Sequence, residues 1–113
     1  QAGVPPAAER LCLAAISIGA NIAEGGGRET PRDIARFLSQ AIGSACEVEF
    51  LLRVSQDLNF ITEATRHPVA KQLEDLKFKI YNPENPFSPN NPRSRSDHTR
   101  PAKQDTRVPR SGT

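Results

Sequence analysis

The residues with the most evident chemical potential lie in one stretch, NIAEGGGRETPRD, at positions 21–33. Three consecutive glycines followed by an arginine could form a loop whose backbone amides and guanidinium bind phosphate. A nucleotide-binding P-loop requires the pattern G-x-x-x-x-G-K-[ST] after a strand. No lysine follows the glycines here, and a helical pattern precedes them, so nucleotide binding is disfavoured. A bare anion at the start of the next helix, held with help from Arg28 and Arg32, stays open as an alternative.

The same stretch is better explained as a corner between two helices. The glycines follow the last apolar residue of a helical pattern, where glycine is favoured because it reaches left-handed backbone angles at little cost. Thr30 suits the N-cap of the next helix, Pro31 its first position, and Asp33 completes a capping-box-like pair with Thr30. We therefore predict a structural corner formed by Asn21, Glu24, Gly25, Gly27 and Thr30.

Glu24 is unusual at the end of a helix because a carboxylate in the last turn opposes the helix dipole. An arginine across the turn would offset that cost, and Arg28, Arg32 and Arg36 are all within reach in the sequence. We interpret Glu24 as a structural clamp of the corner. A catalytic role for Glu24 is disfavoured without a second acid or a histidine placed beside it.

The elements around the corner are predicted to be helices only, at about 6–24, 31–58 and 63–81. The first has two apolar stripes and is expected to be buried among its neighbours. The stripes are Leu11, Ala15, Ile18 and Ile22, and Leu13, Ile16, Ala20 and Ala23. The second and third helices repeat apolar residues at alternating spacings of four and three. We predict an all-α, antiparallel up-down helical bundle over residues 1–81.

The composition changes at residue 82. Residues 82–113 contain six of the ten prolines and few aliphatic side chains, which predicts a disordered Pro/Arg-rich tail. The tail carries six basic and three acidic residues, net +3, whereas residues 1–81 carry nine basic and ten acidic residues, net −1. A loose basic tail can bind nucleic acid non-specifically. A solvated tail with no partner is the interpretation that the composition favours.

Several functional classes are disfavoured by the residue types that the chain lacks. No Ser-His-Asp, Cys-His, paired-carboxylate or metal-ligand pattern is apparent, so we expect neither enzymatic activity nor a cofactor. Cys12 and Cys46 are interpreted as buried thiols in a reducing compartment, with a disulfide as the alternative. The longest charge-free apolar run, Leu11–Ala23, is too short to span a bilayer, and no signal peptide is evident. A cytoplasmic protein without membrane contact is expected.

The residues from Ala14 to Ile61 resemble the bacterial family of four-helix bundle proteins encoded by 23S rRNA intervening sequences. The match includes NIAEG, the arginine of GGGR, RFL with the following A-x-G-S, the E-x-E pair and the DL-x-F-I ending. The resemblance implies an antiparallel up-down bundle, often assembled as a pentameric ring. The accessory variability-determinant protein of diversity-generating retroelements is similar to this family and binds nucleic acid and a reverse transcriptase through a basic surface.

Three departures from the family pattern affect what is expected. The family's opening helix would precede VPPAAER, so one of the four helices is expected to be missing. Cys12 and Leu13 stand where the family tends to have a basic pair, and the last helix is cut short at Tyr81. Three amphipathic helices without the fourth would leave an apolar groove open, so we expect that the protein is not a stable monomer.

The preferred functional hypothesis is a non-catalytic helical scaffold that associates with RNA or DNA through a basic surface. The proposed nucleic-acid contacts are Arg28, Arg32, Arg36, Arg93 and Arg95. The expected partners are further copies of the chain, with a pentamer implied by the resemblance. The alternative is a protein-interaction module, or a degenerate fragment, with no role in nucleic-acid binding.

Overall fold

The computed structural model describes Gly3 and residues 5–99. Four helices follow one another along the chain: α1 (Pro6–Gly26), α2 (Pro31–Asp57), α3 (Glu63–Tyr81) and the short α4 (Pro92–Thr99). The described residues contain no strand, which confirms the all-α class. The bounds of α1, α2 and α3 agree with the predicted ones to within two residues.

The long helix α2 is the centre of the fold, and the other three helices all pack against it. Helix α1 runs antiparallel to α2, since Arg10 forms an ion pair with Glu47 at one end and Gly25 approaches Phe37 at the other. Helix α3 is also antiparallel to α2, because Arg66 near its start donates to Gln56 near the end of α2, whereas Lys77 near its end pairs with Glu49 earlier on α2. The arrangement is therefore the predicted up-down one.

Local side-chain chemistry explains where the helices begin and turn. The Thr30 hydroxyl accepts a hydrogen bond from the Asp33 backbone N–H at 3.1 Å, and Thr62 does the same for Thr65 at 3.2 Å. Each bond satisfies an amide that has no partner within its helix. After α2 ends, Asn59 adopts φ 66°, a left-handed conformation that asparagine tolerates better than most residues.

The core is small and rich in alanine. A cluster of buried residues from all three long helices forms its centre: Ala14, Ala45, Val48, Leu52 and Leu73. The partly buried side chains of Leu11, Ile18 and Ile61 pack around this cluster. Alanine lets helix backbones approach closely, but each one removes little apolar surface from water, so the fold depends on contacts that supplement the core.

The segment after α3 differs from the disordered tail that the sequence predicts. Residues 82–99 form consecutive turns and α4, whereas residues 100–113 lie outside the described part of the chain. The turns follow a three-residue repeat, NPE-NPF-SPN-NPR, in which the first side chain of each unit accepts a backbone N–H two residues later. These are Asx-type turns stiffened by proline, which explains their order without a large apolar core.

The ion pair between Lys77 and Glu49 joins α3 to α2. The Lys77 Nζ donates to Glu49 Oε1 at 2.8 Å, and both side chains are about three-quarters buried. This hydrogen bond raises the pKa of Lys77 above its usual 10.5, against the opposing effect of burial. The stabilisation from the pair is therefore complete below pH 10.5 and is lost as the pH rises through the raised pKa.

We predict that Lys77→Met lowers the free energy of unfolding by about 1 kcal/mol at pH 7 because it leaves Glu49 without its cation. Urea denaturation measures the effect, with the exposed Lys71→Met on the same helix as the matched control. The difference between wild type and Lys77→Met should shrink above pH 10.5. Equal destabilisation by the two variants would show that the pair does not hold α3 on α2.

Candidate nucleic-acid interface at the glycine corner

The glycine corner depends on the small size of Gly25 rather than on left-handed backbone angles. Helix α1 continues through Gly26, and its C-cap Gly27 has φ −94° and ψ 1°. The predicted left-handed glycine is therefore wrong. Gly25 is buried, and a Cβ added to it would lie 3.1 Å from the Cβ of Phe37. Glycine at this position lets the end of α1 lie directly against the start of α2.

Asn21 and Glu24, the other predicted corner residues on α1, both have defined partners. The Asn21 Nδ2 donates to the Ser17 carbonyl at 2.9 Å and to the Ser17 Oγ at 3.1 Å. Ser17 in turn shares a hydrogen bond of 2.7 Å with Ser44 on α2. Glu24 forms an ion pair of 2.7 Å with Arg28. Of the three arginines considered as its partner, Arg28 is therefore the one that offsets the carboxylate at the end of α1.

Phe37 organises two of the predicted nucleic-acid contacts. The guanidinium carbon of Arg36 lies 4.5 Å from the centre of the Phe37 ring, and that of Arg28 lies 4.9 Å from it. Arg36 also lies 3.7 Å from the Asp33 carboxylate. Cation–π contacts of this kind limit the orientations of long arginine side chains, and both of these remain about half exposed. The corner thus presents two oriented guanidinium groups close together.

A second group of arginines meets at a cavity between α2 and α4. The cavity has a volume of about 460 Å³ and is lined by Arg32, Ala35, Arg36, Ser39, Pro89, Ser94 and Arg95. Arg36 belongs to both groups, because it also stacks on Phe37. Arg93 lies on α4 as well, but it does not line this cavity. The structure therefore brings together residues that are about sixty positions apart in the sequence.

Sequence reasoning missed the cavity and the residues that complete it. Ser94 and Pro89 belong to the segment that was expected to be disordered, so no position could be assigned to them. The available signal was the [NS]-P-x repeat from Asn82 to Arg93, since each unit contains its own turn former and a proline. A rigid repeat of that kind predicts that Arg95 is held in place rather than free in a tail.

The outward side of α1 is more exposed than predicted. One of its two apolar stripes faces solvent, with Leu13 59% and Ile16 65% exposed. Ala20 and Ala23 continue the same stripe and are also exposed. Cys12 and Cys46 are free and exposed, so their interpretation as buried thiols is wrong. We call the exposed stripe of Leu13, Ile16, Ala20 and Ala23 the outer face of α1.

The described residues contain neither a membrane-spanning helix nor a group of metal ligands. No helix between residues 5 and 99 is both long enough and apolar enough to cross a bilayer. Within the same part of the chain, no three side chains of the histidine, cysteine, aspartate or glutamate type are grouped in a way that could hold a metal ion.

The fold and the corner define a protein of the antiparallel α-helical class, in which a glycine corner joins two long helices and arginines surround it. A comparison with family models matches residues 7–82 to the family described as 23S rRNA-intervening sequence protein. The chain belongs to that family, which confirms the resemblance seen in the sequence. Comparisons with curated proteins and with solved structures found no match.

We predict that Gly25→Ala destabilises the protein by about 1–2 kcal/mol because its methyl group would press against the Cβ of Phe37. Gly26→Ala is the matched control, since the same helix end gains the same methyl group with no atom within 4 Å. Urea denaturation should show Gly26→Ala to be neutral or slightly stabilising. The close-approach account fails if Gly25→Ala is as stable as Gly26→Ala.

Proposed function

We propose that this protein is a non-catalytic helical scaffold that binds RNA or DNA through the basic end of the molecule. By the basic end we mean the glycine corner and the cavity beside it, with Arg28, Arg32, Arg36 and Arg95. The observation that carries the proposal is the convergence of these four arginines from two separate parts of the chain. Guanidinium groups bind phosphate through charge and paired hydrogen bonds, and phosphate contacts supply most non-specific affinity for nucleic acid. A cytoplasmic location, where RNA and DNA would be met, is part of this proposal.

The carboxylates near the basic end do not prevent such binding. Glu24 pairs with Arg28, and Asp33 lies near Arg36, but each pair joins residues three or four positions apart, and the side chains are one-third to about one-half exposed. Exposed ion pairs contribute at most about 1 kcal/mol. A phosphate chain that contacts several guanidinium groups at once can compete with them. Residues 1–81 carry a net charge of only −1. Binding of nucleic acid would therefore depend on the local arrangement of the arginines rather than on the total charge.

A second candidate function, protein interaction, is favoured by the outer face of α1. The charge-free run Leu11–Ala23 includes two polar side chains, Ser17 and Asn21, and both are half-buried on the side toward α2. The side facing solvent is therefore apolar, which is typical of a surface covered by another chain. We propose a second copy of this protein as the partner, with a pentamer implied by the family resemblance. Self-association would also place several basic ends on one assembly, and several contacts with the same nucleic acid would raise the overall affinity.

We predict that the double variant Arg36→Gln/Arg95→Gln binds RNA more weakly and with a smaller dependence on salt. The slope of log K against log salt concentration should fall by about 0.7 for each lost contact with a single strand. Fluorescence anisotropy with a labelled single-stranded RNA at several salt concentrations measures both quantities. The control is Arg53→Gln/Lys71→Gln, which removes the same charge from exposed residues away from the basic end.

The outcome separates the two candidate functions. A loss specific to the Arg36 and Arg95 variant supports the basic end as the contact surface. Equal losses in both variants would indicate attraction by net charge alone. No binding by the wild-type protein at low salt removes the nucleic-acid function and leaves protein interaction.

We predict that Leu13→Glu/Ile16→Glu converts an oligomer to a monomer, because charges on the outer face of α1 cannot be buried between copies. Sedimentation velocity measures the assembly state. Phe78→Glu is the matched control, since Phe78 is 68% exposed on α3 and lies outside the outer face. A wild-type protein that sediments as a monomer at all concentrations would contradict self-association.

A further inference from the structure

The outward side of α2 carries a continuous stripe of exposed residues that begins at the basic end. Six positions follow one another at alternating spacings of four and three, so they lie on one side of the helix. All six are exposed, and we call them the open stripe of α2: Arg32, Arg36, Ser39, Gly43, Cys46 and Phe50. With a rise of about 1.5 Å per residue, the open stripe extends for about 27 Å, which is long enough for a linear ligand to follow.

The charge along the open stripe is positive at its start and is not opposed farther along. None of its six residues is acidic. The two carboxylates in the middle of α2 belong to Glu47 and Glu49, and each pairs with a cation of a neighbouring helix. Glu47 lies 3.0 Å from Arg10 of α1, and Glu49 lies 2.8 Å from Lys77 of α3. The surface between these two ion pairs is therefore complementary in charge to a chain of phosphates.

The middle of the open stripe has a low profile. Ser39 and Cys46 have small side chains, and Gly43 between them has none. A Cβ added to Gly43 would meet no atom within 4 Å among the described residues outside its own turn of helix. No neighbouring side chain covers α2 at this point, so a ligand can lie close to the helix between the arginines and Phe50.

Phe50 ends the open stripe, and its side chain is 64% exposed. Proteins that bind single-stranded nucleic acid combine cations for the phosphates with exposed aromatic rings on which unpaired bases stack. The bases of a duplex are already paired and stacked on one another, so their faces are not accessible to such a ring. An exposed ring in line with arginines therefore favours a single strand over a duplex.

We propose that a single-stranded nucleic acid lies along the open stripe of α2, with phosphates at Arg32 and Arg36 and an unpaired base stacked on Phe50. The proposal rests on the proposed nucleic-acid function, and it adds the form of nucleic acid that is bound and the path by which the strand leaves the basic end. A length of about 27 Å corresponds to about eight nucleotides spaced about 3.4 Å apart.

The first test measures the affinity of Phe50→Ala for three ligands by fluorescence anisotropy. The ligands are an RNA single strand of about ten nucleotides, which spans the open stripe, the duplex of the same sequence, and an abasic sugar-phosphate strand of the same length. We expect an affinity loss of about fivefold or more for the single strand, the effect of one stacked base, and no change for the other two ligands. Phe78→Ala is the matched control, since Phe78 is 68% exposed on α3, and it should bind as wild type does.

The second test uses the two cysteines of the wild-type protein. Cys46 lies on the open stripe, Cys12 lies on α1, and both thiols are free and exposed. We expect the RNA single strand to slow the alkylation of Cys46 by iodoacetamide, measured by mass spectrometry, while the alkylation of Cys12 continues at its original rate. Unchanged alkylation of Cys46 in the RNA complex overturns the inference.

The outcomes separate this inference from the function on which it rests. Single-strand binding that is the same in wild type and Phe50→Ala overturns the inference and leaves the proposed function standing. An equal loss for the single strand and the abasic strand overturns it as well, because no base is then stacked on the ring. A change in the sedimentation of Phe50→Ala with unchanged RNA affinity overturns it and assigns Phe50 to contact between copies. A wild-type protein that binds none of the three ligands at low salt overturns the proposed function.

Discussion

The close contact between Gly25 and Phe37 is the constraint on which the other features of the structure depend. It brings the end of α1 directly against the start of α2, so that the helices run side by side in opposite directions. The Phe37 ring at this point also lies beneath the guanidinium groups of Arg28 and Arg36. One contact thus sets the register of the helix pair and the position of two cations.

The register explains why α1 exposes apolar surface. With Gly25 against Phe37, the polar residues in the middle of α1 face α2, where Ser17 meets Ser44 and Asn21 bonds to Ser17. The apolar residues Leu13 and Ile16 are consequently directed away from α2. A surface helix normally exposes polar residues, whereas α1 is apolar both on its inner side, with Leu11, Ala14 and Ile18, and on its outer side. The chemistry of the exposed outer face favours contact with another chain.

Much of the fold could be predicted because it depends on local patterns. Apolar spacing located α1, α2 and α3, and Thr30 was identified as an N-cap from residue type alone. The role of Gly25 was partly misassigned, since a pattern reveals that glycine ends a helix but not which side chain approaches it. Burial of α1 was overestimated because periodicity shows that a stripe is apolar without showing what covers it.

The candidate site was less predictable because it joins distant parts of the chain. The arginines of the corner could be named from the sequence, but their meeting with Arg95 depends on the path of residues 82–91. Composition indicated disorder there, whereas the [NS]-P-x repeat forms turns through local hydrogen bonds that composition does not capture.

The most direct test of the account is hydrogen–deuterium exchange of the protein with and without a single-stranded RNA. We expect slower exchange on RNA binding in residues 31–39 and 88–95, which form the two sides of the basic end, and no change within residues 13–23 of α1. Protection confined to α1 or α3, with the start of α2 and the turn repeat unaffected, would contradict the claim that the glycine corner and α4 together form the nucleic-acid surface.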